Sequence, residues 1–212
     1  MRTLIGCAVI AATTMLGSAS AAASLTAYSD RAAFDTAVGS TTLVDFESIP
    51  DTNGLPVTVG VVTFNEPSNA LRVFNPNIYQ TNTTRYLNNN DGSSGQLIIG
   101  FSTPVFAVGM DIGFLNTQGW GNGPGDEHFV LNTGDDFTVT VPGPMCCGTG
   151  IPFNFVGFTS SVGFTSITIN DPTHGVALDN FAFATSAVPV PGAAWLLGPT
   201  LAGLGFMRRP AS

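Results

Sequence analysis

The chain has 212 residues, of which 9% are charged and 44% hydrophobic, with 25 glycines and 14 prolines. Six arginines and no lysine stand against 14 acids, and Arg2, Arg208 and Arg209 sit at the extreme ends, so residues 24–187 oppose 14 acids with Arg31, Arg72 and Arg85, a net of −11. A body that acidic cannot neutralise phosphates, which argues against nucleic acid and anionic lipid as partners, while 16 phenylalanines supply a core and argue against disorder.

In chain order, Met1-Arg2 gives a positive start to an apolar run over residues 4–16, followed by small residues to Ala23. A basic start, a run too short to span a bilayer and an A-x-A site are the parts of a secretory signal peptide, so residues 1–23 are expected to be removed by signal peptidase. Asp30 then caps a predicted helix over residues 31–38 that Gly39 ends, with Ala32, Ala33, Phe34 and Ala37 expected inside. After it the pattern is β. Strands are predicted over 41–47, 60–65, 71–74, 96–101, 105–114, 136–141, 154–158, 164–170 and 176–184, separated by Gly, Pro, Asn and Asp. Many short strands with punctuating turns point to an all-β sandwich or barrel over residues 24–187. Two long loops, 76–95 and 116–127, are the natural places for a binding function.

The tail begins Val188-Pro189-Val190-Pro191, whose prolines forbid a regular helix and detach the later residues from the body. Residues 190–207 are uncharged, and as a helix would be about 27 Å long, close to the bilayer core. Arg208-Arg209 would then stay cytoplasmic and leave the body outside. A single C-terminal transmembrane helix over about 190–207 is therefore expected.

The tail resembles the PEP-CTERM protein-sorting signal of Gram-negative bacteria in its VPxPA-like variant. The matching parts are Val188, Pro189 and Pro191, the apolar segment opened by Trp195, and the basic end Arg208-Arg209. The sorting signal thus covers residues 188–212. The resemblance implies recognition by an exosortase, a membrane cysteine protease-transpeptidase, and an association with exopolysaccharide and biofilm. Val190 stands where the common motif has Glu, and Pro199 interrupts the apolar segment. The body is similar to a recurrent architecture of PEP-CTERM proteins through Arg31-Ala32-Ala33-Phe34, Val44-Asp45-Phe46-Glu47, Gly60-Val61-Val62-Thr63-Phe64, Phe101-Ser102-Thr103-Pro104-Val105 and Ala177-Leu178-Asp179-Asn180-Phe181. That similarity implies a jelly-roll-like β-sandwich related to carbohydrate-binding modules.

Three groups of residues carry chemistry. On a strand, Asp45 and Glu47 would share one face, and in a jelly roll the first and last strands run side by side, bringing Asp179 near them. Such oxygens suit Ca²⁺, with Glu47 and Asp179 the leading ligands; the alternative is a solvated acidic face with Asp179-Asn180 as a turn. Trp120 with Asn122 and Asp126, and Tyr79 with Tyr86, place aromatics and polar groups on the loops, a pattern suited to a sugar ring; Trp120 folded back as a lid is the plainer alternative. Cys146 and Cys147 are the only cysteines left after removal of Cys7. Adjacent α-carbons lie about 3.8 Å apart, short of the usual span of a disulfide, so a vicinal bridge would be strained; free thiols and bridges between chains are the alternatives.

No G-x-S-x-G, HExxH or P-loop is present, and in Glu127-His128 adjacent residues on a strand face opposite sides. The expectation is an exported, exosortase-sorted protein of the cell surface or extracellular matrix, non-enzymatic, structural or adhesive, and associated with exopolysaccharide. A calcium-dependent carbohydrate-binding module is the alternative, and a cryptic glycan-active enzyme the third reading.

Overall fold

Twelve strands and one helix form in the residues described by the computed structural model, which are 24–54, 56–68, 71–74, 84–89, 96–115, 125–141, 153–170 and 175–187. They are β1 (Leu25–Tyr28), α1 (Arg31–Val38), β2 (Thr42–Val44), β3 (Thr52–Asn53), β4 (Val57–Val59), β5 (Val62–Asn65), β6 (Leu71–Phe74), β7 (Tyr86–Asn89), β8 (Gln96–Leu115), β9 (Gly125–Leu131), β10 (Asp136–Val141), β11 (Asn154–Asn170) and β12 (Gly175–Ala184). Every pairing is antiparallel, and the strands join in one curled sheet. Among the described residues the protein is all-β around one short helix.

Two long strands organise the sheet. The sequence suggests two strands on either side of Ser102-Thr103-Pro104 and two more on either side of residues 159–163; each pair is instead one strand, β8 with 20 residues and β11 with 17. β8 and β11 pair on both sides of a corner, with register shifts between Thr159 and Ser166. Across that irregularity the inward side chains change parity. Leu97, Ile99 and Phe101 face the core in the first half of β8, and Val108, Met110 and Ile112 in the second. β11 does the same, with Val156 and Phe158 inward before the shift and Ile167 and Ile169 after it. The neighbours change as well. The first half of β8 borders β5, and the second half borders β12. One half of the sheet therefore runs β4-β5-β8-β11-β9-β10, and the other runs β1-β11-β8-β12 and on to β2, β7, β6 and β3.

Aromatic rings join these halves. Phe64 of β5 meets Phe181 of β12 edge-on at 5.2 Å, and Phe137 of β10 meets Phe158 of β11 at 5.0 Å. Phe101 stacks against Phe181 at 6.2 Å. The sheet is folded over a core of Phe, Val, Ile and Leu, and its apolar alternation is what closes it.

The helix forms where its signals lie. Asp30 accepts a hydrogen bond from the Ala33 N–H at 2.8 Å, and Gly39, at φ +79°, ends the helix by donating its N–H to the Asp35 carbonyl. Its packing is narrower than expected, since Ala32 and Ala33 are exposed and Phe34 alone is buried. The reason lies in the sheet beneath. Gly109 and Gly157 are register partners, and a Cβ on either would come within 3 Å of the rings of Phe34 and Phe155. Two glycines thus form a bare patch that admits one ring from the helix.

Gly109→Ala and Gly157→Ala should each cost about 1–3 kcal/mol through overpacking against these rings. Gly100→Ala, whose nearest neighbour would be the Thr63 carbonyl oxygen at 3.9 Å, should cost much less. Urea unfolding of the three variants measures the difference, and equal midpoints would show that the rings have room to shift.

Candidate functional site

The acids expected to converge do so in part, and through hydrogen bonds that the sequence does not announce. β2 stops at Val44, so Asp45 and Glu47 do not share a strand face as expected. The chain turns at Phe46, which holds φ at +60° with its ring buried against Phe64 at 5.3 Å. Left-handed backbone is costly for a large side chain, and burial of the ring offsets that cost. Within the turn Asp45 Oδ1 accepts the Glu47 N–H at 3.1 Å, and the Phe46 carbonyl accepts the Ile49 N–H at 3.0 Å.

Asp179 lies in β12 and is 3% exposed. Thr84 Oγ1 donates to its Oδ2 at 2.8 Å, and the Asn180 N–H donates to its Oδ1 at 2.7 Å. The next residue after Thr84 reaches the other predicted acid, since the Arg85 N–H donates to Glu47 Oε1 at 2.8 Å. Arg85 Nη2 also pairs with Asp51. The short segment ahead of β7 therefore ties Asp179 to Glu47.

Two further residues complete the group. Asp111 of β8 is the register partner of Asp179. Immediately beyond that pair β12 carries one extra residue, a β-bulge centred on Asn180, which takes φ +47°. Asn tolerates this conformation, and the bulge re-aims its groups out of the ladder. Asn180 Nδ2 donates to Asp111 Oδ2 at 2.8 Å, while Arg31 Nη2 donates to Asp111 Oδ1 and to the Asn180 carbonyl, both at 3.0 Å. The Arg31 guanidinium also lies 4.6 Å from the centre of the Phe155 ring, a cation–π contact. An acid within the apolar stretch Met110-Asp111-Ile112, and an Arg at the first position of the helix, were the available sequence signals for this pair.

Burial raises the Asp179 carboxyl above its ordinary 3.8; the hydrogen bonds from Thr84 and Asn180 pull it down, and the charges of Asp111 and Glu47 push it up again. Folded Asp179 therefore keeps its proton at pH values where the unfolded chain has released it. Stability is lost as the pH rises from 3.8 through the raised value, and regained as it falls.

The three acids expected to hold calcium are each engaged within the protein. Each of Asp45, Glu47 and Asp179 already accepts hydrogen bonds from the protein, and among the described residues no three His, Cys, Asp or Glu side chains form a metal-holding group. Chemically the arrangement is a hydrogen-bonded charge cluster that pins helix, turn and bulge to one sheet face.

Of the expected sugar-binding residues, Tyr86 and Asp126 are described. Tyr86 is not on an exposed loop, because residues 86–89 form β7; its ring is fully buried, 6.1 Å from that of Phe153, and offers no platform. Asp126 is exposed, but on β9, where Thr140 Oγ1 of β10 donates to it at 2.6 Å. Tyr79, Trp120, Asn122, Cys146 and Cys147 lie outside the described residues, as do Val188, Pro189, Pro191, Trp195, Arg208 and Arg209. Glu127 and His128 do face opposite sides: Glu127 is buried, and His128 Nε2 lies 3.3 Å from Asp136 Oδ2 on the outer face. No helix among the described residues is long and apolar enough to cross a membrane.

No protein family matches the chain, and no curated protein does. Among solved structures, it is similar to TmCBM61 in complex with β-1,4-galactotriose, at 11% identity and a TM-score of 0.30, over 58% of this chain and 88% of that one. It is also similar to an exo-β-agarase, at 12% identity and a TM-score of 0.36, over 71% of this chain and 25% of that one. Likenesses this loose assign neither fold nor ligand.

Asp179→Asn should keep the fold, since an amide can accept from the Asn180 N–H and donate to the Thr84 hydroxyl, and should remove the Asp179 component of the pH dependence. Denaturant midpoints of both proteins from pH 4 to pH 7 measure it: the variant should gain relative to wild type as pH rises, and parallel curves would contradict the assignment. Arg31→Ala should cost about 1–3 kcal/mol, with Arg31→Lys restoring only part because an ammonium on a shorter side chain does not reproduce the planar guanidinium against the Phe155 ring. Full recovery in the lysine variant, read by thermal melting, would reduce the contact to charge alone.

Proposed function

We propose that this is an exported protein, sorted by an exosortase, that serves at the cell surface or in the extracellular matrix in association with exopolysaccharide, with a structural or adhesive role and no catalysis. Residues 1–23 direct export, residues 24–187 form a jelly-roll-like β-sandwich outside the inner membrane, and residues 188–212 hold it in that membrane until the tail is processed. The observation that carries this reading is the order of three parts in the tail: Val188-Pro189-x-Pro191, an uncharged stretch long enough to span, and Arg208-Arg209.

Two properties of the body agree with it. Its acidity and lack of lysine leave neutral extracellular polymers as compatible partners and disfavour polyanions. Its best-defined carboxylates, Asp111 and Asp179, are occupied by Arg31, Asn180 and Thr84, whereas a glycosidase needs a pair set across an open cleft.

Replacing Pro189 and Pro191 with alanine in the full chain should trap the protein in the inner-membrane fraction of an exosortase-bearing host, with little reaching the surface or matrix. Fractionation and immunoblotting read the outcome. Unchanged release of the double variant would remove the sorting motif from the account.

A further inference from the structure

The two outer faces of the folded sheet differ. On the half built around β12, Tyr86, Asn88, Ala177 and Asp179 are buried, so that face is covered. On the half that ends in β9 and β10, the outward side chains are partly or fully exposed. The strand registers set these in cross-strand rows. Ile98 stands opposite Thr168 and Thr168 opposite Val130; one step along, Gln96 stands opposite Asn170 and Asn170 opposite His128. With neighbouring strands about 4.8 Å apart, Ile98, the Thr168 methyl and Val130 make an apolar strip about 10 Å across. Amides border it on one side.

We propose that this face binds a neutral polysaccharide chain laid across β8, β11 and β9. This rests on the glycan-associated reading above and names the surface that serves it. A sugar ring has an apolar C–H face and a rim of hydroxyls that both donate and accept, and the strip beside its amide row presents the matching pattern. Charge selects the occupant. The body has a net of −11, and the outward positions of this half include Asp126 and Asp136 but no arginine, so a polyanion or a second copy of this chain would be repelled while a neutral chain meets no such cost. The face is also ordered in advance: Gln96 Nε2 donates to Asn170 Oδ1 at 2.8 Å, and Thr140 Oγ1 to Asp126 at 2.6 Å. Side chains already held by one another lose little freedom when a ligand arrives.

Affinity electrophoresis of the full chain tests this, with cellulose derivatives, agarose and β-1,4-galactan as neutral probes and alginate as the polyanion. At least one neutral polymer should retard the protein, and alginate should not. Ile98→Lys combined with Thr168→Lys should weaken retardation about tenfold or more at an unchanged melting temperature, and Trp120→Ala should leave it intact; a tenfold loss is the scale of a few lost contacts. Should the double variant fail to fold, Thr138→Arg, at an exposed position of β10 opposite His128, puts a bulky charge beside the same row and should weaken binding as well. Binding lost in Trp120→Ala but kept in the face variants would overturn the proposal while leaving the glycan association in place. Retardation by alginate alone would overturn the choice of occupant. No retardation by any neutral polymer, from a protein that is correctly sorted in cells, would overturn this proposal and leave the sorting reading standing.

Discussion

Everything in this fold hangs on the change of inward face partway along β8 and β11. A strand that alternates without interruption keeps one parity inside, and a slip by one residue turns every apolar side chain to solvent. Here both strands make the switch in the same place, with Val105 and Phe164 as buried register partners at the corner. The pairing survives, the sheet folds, and Phe64 and Phe137 from one half reach Phe181 and Phe158 in the other. The corner therefore decides which residues form the core, and by the same step which ones face outward on each half.

The bulge at Asn180 makes a second, smaller change of parity in β12. Before it Val176 and Leu178 face the core; after it Phe181 and Phe183 do. The extra residue stands beside two acids, Asp111 and Asp179, that would repel each other as register partners. Its amide and carbonyl draw Asp111 and Arg31 together, while Thr84 takes Asp179 from the other side. Breaking one member of such a partly buried cluster leaves the others without compensation, so its members act as a unit that fastens α1 to the sheet.

Much of this was legible in the sequence, and the failures share a cause. The helix was readable to its caps because Asp30 and Gly39 act locally, and β6 and β10 were readable because their alternation is uninterrupted. The sequence divides β8 and β11 because Ser102-Thr103-Pro104 and the residues around Ser161 break the apolar period, although they stay extended at a corner. β7 was hidden for the opposite reason. Tyr86-Leu87-Asn88-Asn89 reads as polar loop, yet it is buried on both faces, with Asn88 Nδ2 donating to the Val176 carbonyl at 3.0 Å. Of the candidate site, the nearness of Glu47 to Asp179 follows from strand order, since β2 pairs with β12. Asp111 and Asn180 were not readable in this way, since only the register of β8 against β12 brings them together.

The two outer faces show how one constraint produces different surfaces. Around β12 the row that continues outward from the core holds glycines, alanine and acids, so it draws in Phe34, Phe155 and Arg31 and becomes covered. Around β9 the equivalent rows hold Ile98, Thr168 and Val130 beside Gln96, Asn170 and His128, and polar side chains pair across strands at Gln96–Asn170 and Thr140–Asp126. A face whose hydrogen bonds are already made in-plane gains nothing from a second protein layer, but its remaining donors and acceptors still point outward. Under the proposal above, what would use them is an uncharged polymer rich in hydroxyls. The register that folds the core thus also decides which face stays open.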